Sequence, residues 1–157
     1  MADWWLECSD GSFRKARIEP ATLSDTRRMK WTFDWRKELH SSKRKVYKLV
    51  DDHNGSIIGG ISFEIREDHI YVVLLDSAFP TRYNANPPRF YLNVMKLLLA
   101  FASLESDRLG FDGFLALTPK TKLQSYYHKH FCAFLLPQGM MGINGGIMKA
   151  IIELYYY

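Results

Sequence analysis

Two carboxylate side chains stand where they could exchange a proton with a ligand. Asp76 closes the apolar run 69–77, and Glu64 lies on the segment before it. A carboxylate at a strand end beside a cleft can accept a proton directly or through a water molecule. A structural role is the alternative, because Asp76 could cap the following loop and Glu64 could occupy an exposed sheet edge. Asp76 is therefore the first candidate base and Glu64 the second.

Aromatic and basic residues alternate between residues 27 and 45. Trp31, Phe33 and Trp35 lie among five cations, which are Arg27, Arg28, Lys30, Arg36 and Lys37. This pattern is typical of a surface that binds RNA or single-stranded nucleic acid. The i, i+4 spacing of Trp31 and Trp35 instead favours packing in the core. A solvated face without a partner is a third alternative, since the whole chain has a net charge of only +4.

The histidines and cysteines have no metal-ligand spacing. His128 and His130 diverge on a helix, so they cannot converge on one ion. Cys8 and Cys132 lie far apart and match no redox motif. We expect no metal site and two reduced cysteines, with Cys132 in the core.

Length and composition predict one globular domain, residues 1–157. Hydrophobic residues make up 47% of the chain and charged residues 24%, which excludes a disordered or low-complexity protein. No apolar stretch approaches the roughly 20 residues that span a bilayer, and the first residues lack a secretory signal. We therefore expect a cytoplasmic protein that does not enter a membrane.

The elements that must position these residues follow from periodicity, glycines and prolines. The predicted strands are 13–18, 46–50, 57–66, 69–77, 113–118, 133–136 and 140–143. The predicted helices are 24–39, 90–105, 122–130 and one that follows an N-cap at Asn144, and 78–89 is predicted as a loop. This order predicts an α/β fold whose single mixed, mostly antiparallel sheet is flanked by helices, with one crossover around residues 70–104.

Six stretches of the C-terminal two thirds carry a family resemblance. They are Ile57-Ile-Gly-Gly-Ile61, Ile70–Pro80, Leu99-Ala-Phe-Ala102, Gly110–Leu123, Tyr126-Tyr-His-Lys129 and Met140-Met-Gly-Ile143. On these residues the chain resembles the Gcn5-related N-acetyltransferases (GNAT), and more closely a group of small bacterial members; residues 31–38 extend the resemblance more weakly. The resemblance implies a fold that binds acetyl-coenzyme A where two strands splay apart.

The resemblance also assigns the cofactor site, with one departure from the family pattern. The pyrophosphate turn falls on residues 86–96, and the family's glycines align with Asn93, Met95 and Lys96. None of the three is glycine, so the backbone cannot approach phosphates as closely. Lys96 could supply a cationic contact instead, and basic groups after Thr118 could meet the 3′-phosphate unless Thr118 or Thr121 only caps a helix. The expected cofactor-binding residues are Leu75, Ser77, Asn93, Val94, Met95, Lys96, Thr118, Lys120 and Lys122.

The resemblance finally implies a reaction. Tyr127 aligns with the tyrosine that donates a proton to the coenzyme sulfur, although a core aromatic is its structural alternative. Asp76 aligns with a carboxylate, usually glutamate, of the similar small members. We expect acetyl transfer to an amine by direct attack, because Cys132 is expected in the core and no other nucleophile is placed for a covalent intermediate. The alternative is an inactive module of the same fold that binds a protein or nucleic acid through residues 27–45. A homodimer is compatible with either.

Overall fold

The computed structural model describes residues 1–78 and 90–157, which form one eight-stranded sheet flanked by helices. The strand order is β1-β2-β3-β4-β5-β6-β8-β7, and only β5 and β6 pair in parallel. The strands are β1 (Trp4–Glu7), β2 (Phe13–Pro20), β3 (Lys45–Asp51), β4 (Ile57–Ile65), β5 (Ile70–Ser77), β6 (Leu115–Leu117), β7 (Phe134–Leu135) and β8 (Met141–Ile143). The helices are α1 (Trp35–His40), α2 (Val94–Arg108), α3 (Gln124–Phe131) and α4 (Gly145–Tyr155). The predicted mixed, mostly antiparallel sheet is confirmed.

The edge strand β1 was not predicted, and it changes where the main helix begins. The backbone N–H of Ser9 donates to the carbonyl of Phe90 at 2.7 Å, and that of Leu92 donates to the carbonyl of Glu7 at 2.8 Å. The chain before α2 is therefore docked on β1 in an extended form. This pairing delays the start of the helix from the predicted residue 90 to Val94. Most of the predicted 78–89 loop, from residue 79 onward, lies outside the described residues.

The single helix predicted over 24–39 is wrong, because two separate elements occupy this segment. The first is a short 3₁₀ turn, Asp25–Arg28. Ser24, at its N-cap position, makes no side-chain capping bond. Instead, the Asp25 carboxylate accepts the N–H of Thr22 at 2.8 Å while the Thr22 hydroxyl oxygen accepts the N–H of Asp25 at 3.2 Å. This reciprocal pair fixes a tight turn.

The second element is α1, which begins only at Trp35. The side chain of Asp34 accepts the N–H of Lys37 at 3.1 Å and so caps the new helix. Between the two elements, the N–H groups of Thr32 and Phe33 donate to a carboxylate on β5 and not to the preceding turn. These two N–H groups therefore bind a carboxylate that lies far along the chain in place of a carbonyl of a continuous helix.

Two adjacent glycines of β4 allow helices to pack closely on both faces of the sheet. A Cβ atom on Gly59 would lie 2.8 Å from a Val94 side-chain carbon of α2, on the face that holds the larger core. A Cβ atom on Gly60 would lie 2.9 Å from Met29 and 3.3 Å from Trp35, on the opposite face. Successive residues of a strand point to opposite faces. The lack of side chains at Gly59 and Gly60 therefore lets α2 pack closely on one face of the sheet and Met29 and Trp35 on the other.

Near the C-terminus the structure confirms one prediction and corrects another. Asn144 caps α4, with its side-chain oxygen accepting the N–H of Gly146 at 2.8 Å. Cys132, expected in the core, is exposed, because it ends α3 in a left-handed conformation with φ of 51°. Cys8 is buried, and both cysteines are free. None of the described helices is both long and apolar enough to cross a membrane.

Candidate functional site

Strands β5 and β6 diverge and leave an opening in the sheet. Their pairing covers only Ile70–Val72 with Leu115–Leu117, whereas β5 continues to Ser77 beside β4. A register shift between Ser62 and Phe63 places an extra residue of β5, Val73, at the same level. Such a bulge increases local twist and turns a strand away from its neighbour. The described part of β5 beyond Val72 is therefore without a β6 partner, as the expected splay requires.

The N-terminus of α2 follows β5 in the fold. The first turn of α2 contains no acidic residue and receives no side-chain cap among the described residues. The first N–H groups of a helix have no partner inside it, so those of Val94, Met95 and Lys96 are free of helical acceptors. The side chains of Met95 and Lys96 are half-buried. This end can attract an anion through its amides and the helix dipole.

Asn93 was expected to bind the cofactor, but its side chain is used to bind β1. It is buried, and both polar atoms of its amide are bonded to β1. The side-chain oxygen accepts the N–H of Glu7 at 2.9 Å, and the amide nitrogen donates to the carbonyl of Trp5 at 3.1 Å. The side chain thus extends the sheet pairing of β1, and a phosphate contact would have to come from the main chain of this residue.

The other expected cofactor residues lie at the ends of β5 and β6. Leu75 is half-buried against the larger core, and Ser77 is buried and opposite Gly59. Thr118 is exposed directly after β6, where its hydroxyl oxygen accepts the Tyr71 hydroxyl at 2.7 Å across the two strands. Lys120 and Lys122 are exposed in and beside a 3₁₀ turn, Thr121–Leu123. Basic groups therefore lie beyond the end of β6.

Asp76 is buried at the end of β5 and binds the segment before α1. One oxygen, Oδ2, accepts three N–H groups: that of Thr32 at 2.9 Å, that of Phe33 at 3.2 Å and the indole N–H of Trp35 at 3.2 Å. The other, Oδ1, accepts the N–H of Ser77 at 3.1 Å. Only 3% of the residue is exposed. The carboxylate is thus a structural anchor, whatever chemistry it also performs.

Glu64, the second candidate base, is held by two arginines. Oε2 forms an ion pair with Arg44, and Oε1 lies 3.2 Å from the guanidinium of Arg66. Arg44 also binds Glu38 of α1 at 2.7 Å, and Glu38 accepts the Ser62 hydroxyl at 2.6 Å. Sequence reasoning missed Glu38 and Arg44, because no local spacing pairs a helix with a strand that lies far along the chain.

Tyr127 is a buried residue of α3 that belongs to the main core. Its ring lies 5.3 Å from that of Tyr126 and 6.0 Å from that of Phe131. Burial, with a smaller contribution from Tyr126, raises the pKa of Tyr127 to about 12. The phenol is therefore protonated at neutral pH and can act as an acid but not as a base.

A cleft of about 480 Å³ lies between the Asp25–Arg28 turn and α1. It is lined by Thr26, Arg27, Met29, Lys30, Trp31, Phe33, Asp34, Trp35 and Arg36. Met29 and Trp35 are buried, and Trp31 and Phe33 are half-buried. Both tryptophans line the cleft, but Trp35 is buried in the smaller core whereas Trp31 packs against that core and stays partly exposed.

Comparisons with known proteins identify the fold. No family model matches the chain, and no curated protein matches its sequence. Among solved structures, a bacterial toxin is similar with a TM-score of 0.62, 10% identity and coverage of 92% of this chain and 98% of the toxin.

Two solved acetyltransferase structures are also similar. An acetyltransferase of the GNAT family from Staphylococcus aureus Mu50 gives a TM-score of 0.56 at 14% identity, and the PaiA N-acetyltransferase from Thermoplasma acidophilum, in complex with coenzyme A, gives 0.57 at 12%. Each alignment covers 82% of this chain and 98% of the other. The chain therefore has the GNAT fold.

Proposed function

We propose that this protein transfers an acetyl group from acetyl-coenzyme A to an amine by direct attack of the amine. The observation that carries the proposal is the opening between β5 and β6, where pairing ends at Val72 and Leu117. The N-terminus of α2 follows this opening along the chain. A splayed pair of strands beside free helical amides suits a long ligand with a phosphate-rich portion.

The described residues fit the anionic part of acetyl-coenzyme A. The first turn of α2 carries Lys96 and no carboxylate, so its amides can accept a pyrophosphate without competition from an acidic side chain. Lys120 and Lys122 add positive charge beyond β6. Because Met95 and Lys96 stand where the family has glycine, we expect weaker phosphate binding than a glycine-rich turn provides.

Tyr127 would supply the proton that the reaction needs. When bound, acetyl-coenzyme A supplies a thioester, and breaking its carbon–sulfur bond leaves a thiolate that must be protonated. Burial keeps the Tyr127 phenol protonated at neutral pH, which is the form that can donate to the departing sulfur. We therefore assign Tyr127 as the general acid.

The base that accepts the amine proton is proposed to be Asp76, with Glu64 as the second candidate. Asp76 lies at the end of β5, beside the opening. Three N–H groups already bind its Oδ2, so proton uptake there would weaken the anchor of the 32–35 segment. Both oxygens of Glu64 are engaged by arginines, which makes Glu64 the less accessible choice.

Calorimetric titration with acetyl-coenzyme A tests the proposal, followed by an assay of thiol release with a panel of amines and basic proteins. We expect Lys96→Glu to weaken binding by about 1–3 kcal/mol, the range for loss of a charge-assisted hydrogen bond. Lys45→Glu is the matched control, since Lys45 is an exposed lysine of β3, two strands from β5. No heat at high micromolar acetyl-coenzyme A would contradict the proposal.

A second candidate is an inactive module of the same fold that binds a protein or nucleic acid through residues 27–45. The absence of glycine at residues 93, 95 and 96 favours this alternative, and so do the exposed cations between residues 27 and 45. If the protein binds a nucleic acid or another protein but does not bind acetyl-coenzyme A, that result would support this alternative.

A further inference from the structure

We infer that the cleft between the Asp25–Arg28 turn and α1 binds a nucleotide unit, a planar base with its phosphate. Its volume of about 480 Å³ falls within the roughly 300–1,000 Å³ typical of small-molecule sites. The lining combines two kinds of group that such a ligand needs, which are cations and aromatic rings.

The three cations that line the cleft have no carboxylate partner among the described residues. Arg27, Lys30 and Arg36 are exposed, and no carboxylate of the described residues lies within ion-pair distance of any of them. Three other cations of the region are paired: Arg28 with Asp25 at 3.3 Å, Arg44 with Glu38 at 2.7 Å and Lys48 with Asp25 at 2.8 Å. An anion entering the cleft therefore meets charge that has no other partner.

The cleft has one carboxylate among its described lining residues, and the fold uses it elsewhere. Asp34 accepts the N–H of Lys37 as the cap of α1. Three cations thus outnumber one anion that is already engaged. A phosphate, which guanidinium groups bind with two parallel hydrogen bonds, fits this balance better than a neutral ligand.

The aromatic rings give the cleft a surface for a planar group. Trp31 and Phe33 are half-buried, so part of each ring faces solvent. Trp31 meets the buried Trp35 edge to face, at 6.5 Å between ring centroids. Partly exposed aromatic rings beside arginines are an arrangement on which unpaired bases stack.

The cleft is rigidly attached to the opening in the sheet. The Asp76 carboxylate at the end of β5 binds Thr32, Phe33 and Trp35, so the aromatic wall is fixed before any ligand arrives. Preorganisation lowers the cost of ordering side chains on binding. In the proposed acetyl transfer, a nucleotide bound here would lie on the segment that Asp76, the proposed base, anchors to the end of β5. This last step rests on the proposed function, whereas nucleotide binding does not.

The test uses two probes, AMP and a single-stranded adenylate RNA pentamer, titrated at low salt without coenzyme A. We expect Arg27→Ala to weaken pentamer binding about tenfold and Arg28→Ala, the adjacent arginine paired with Asp25, to change it by less than about twofold. Phe33→Leu should also weaken binding while leaving the charge intact. With three phosphate contacts the slope of log K against log salt should be about −2.

Each outcome decides the matter. Pentamer binding about tenfold tighter than AMP binding assigns the site to an RNA end, and equal binding assigns it to a free nucleotide. Failure of both probes to bind at millimolar concentration, or equal losses in Arg27→Ala and Arg28→Ala, would overturn the inference. Circular dichroism verifies folding, and Arg36→Ala replaces Arg27→Ala if that variant does not fold. If the protein binds nucleotide but not acetyl-coenzyme A, that result would contradict the proposed function and leave the inference about the cleft intact.

Discussion

The buried carboxylate of Asp76 accepts the indole N–H of Trp35 at 3.2 Å, which ties the end of β5 to the first residue of α1. Both side chains are almost fully excluded from solvent. The bond therefore forms away from competing water, where a polar group left without a partner is costly. This contact connects the opening in the sheet with the basic cleft.

Replacing Asp76 by Ala should lower the free energy of unfolding by about 2–4 kcal/mol, because four N–H groups would lose a buried acceptor. Urea denaturation measures the effect. Asp52→Ala is the control, since Asp52 forms a solvent-accessible ion pair with Arg17, and we expect a change of no more than about 0.5–1 kcal/mol. Wild-type stability in Asp76→Ala would show that the carboxylate is no structural anchor.

Tyr127→Phe should reduce kcat about a hundredfold, the typical contribution of a positioned acid. The ring would remain in the core, so stability should change by less than about 1.5 kcal/mol. Steady-state kinetics of thiol release measures the rate. Tyr126→Phe, which removes the hydroxyl of the adjacent residue, should retain most of the activity. Unchanged turnover in Tyr127→Phe would remove this residue from the mechanism.

Stability should fall as pH rises from about 10 to about 12. Burial, followed by the hydrogen bond to Asp51, raises the pKa of Tyr91 to about 12, and burial does the same for Tyr127. A raised pKa in the folded state means that the unfolded chain loses its proton first. The contribution of these two protonated tyrosines to the free energy of unfolding is therefore complete below about pH 10 and is lost progressively as pH rises toward about 12. Tyr127→Phe should show a shallower alkaline decline in the free energy of unfolding, and an identical decline would contradict the assignment.

Asp51 is a buried carboxyl whose protonation at acid pH should destabilise the fold. Burial alone would raise the pKa of this carboxyl, but hydrogen bonds from Tyr91, the N–H of His53 and Arg14 together hold the pKa below its usual value. A lowered pKa gives stability that is present above about pH 4 and is lost as pH falls further. Asp51→Asn should therefore destabilise the fold at pH 7, and the difference from wild type should shrink below pH 4. A difference that is independent of pH would contradict this.

Gly60→Ala should destabilise the protein by about 1–3 kcal/mol, because the new methyl group would overpack against Met29 and Trp35. The same crowding should disturb the cleft that these residues line. Gly146→Ala is the control: it lies in the first turn of α4, and its Cβ would approach only the Asn144 side chain, at 3.3 Å. Thermal unfolding compares the two, and equal midpoints would show that the sheet accommodates the methyl group.

The sequence by itself determined the approximate bounds and the order of seven strands, β2 to β8, but not the edge strand β1. Alternation of apolar residues, turn glycines and a local cap such as Asn144 act over a few residues, so they can be recognised without the rest of the fold. The family resemblance then predicted the opening between β5 and β6, whereas the catalytic role that it assigns to Tyr127 stays a prediction. The strand bounds and the Asn144 cap could be predicted because they rest on interactions between residues that are near neighbours in the chain.

Only the tertiary structure decided what the polar side chains bind. Asp76 replaces the helical acceptors of Thr32 and Phe33 and so interrupts the helix predicted over 24–39. The amide of Asn93 completes the edge of β1, which lies at the other end of the chain. Such bonds form because a buried polar group must find whichever partner packing brings near it. That partner depends on the whole fold and leaves no signal in the local sequence.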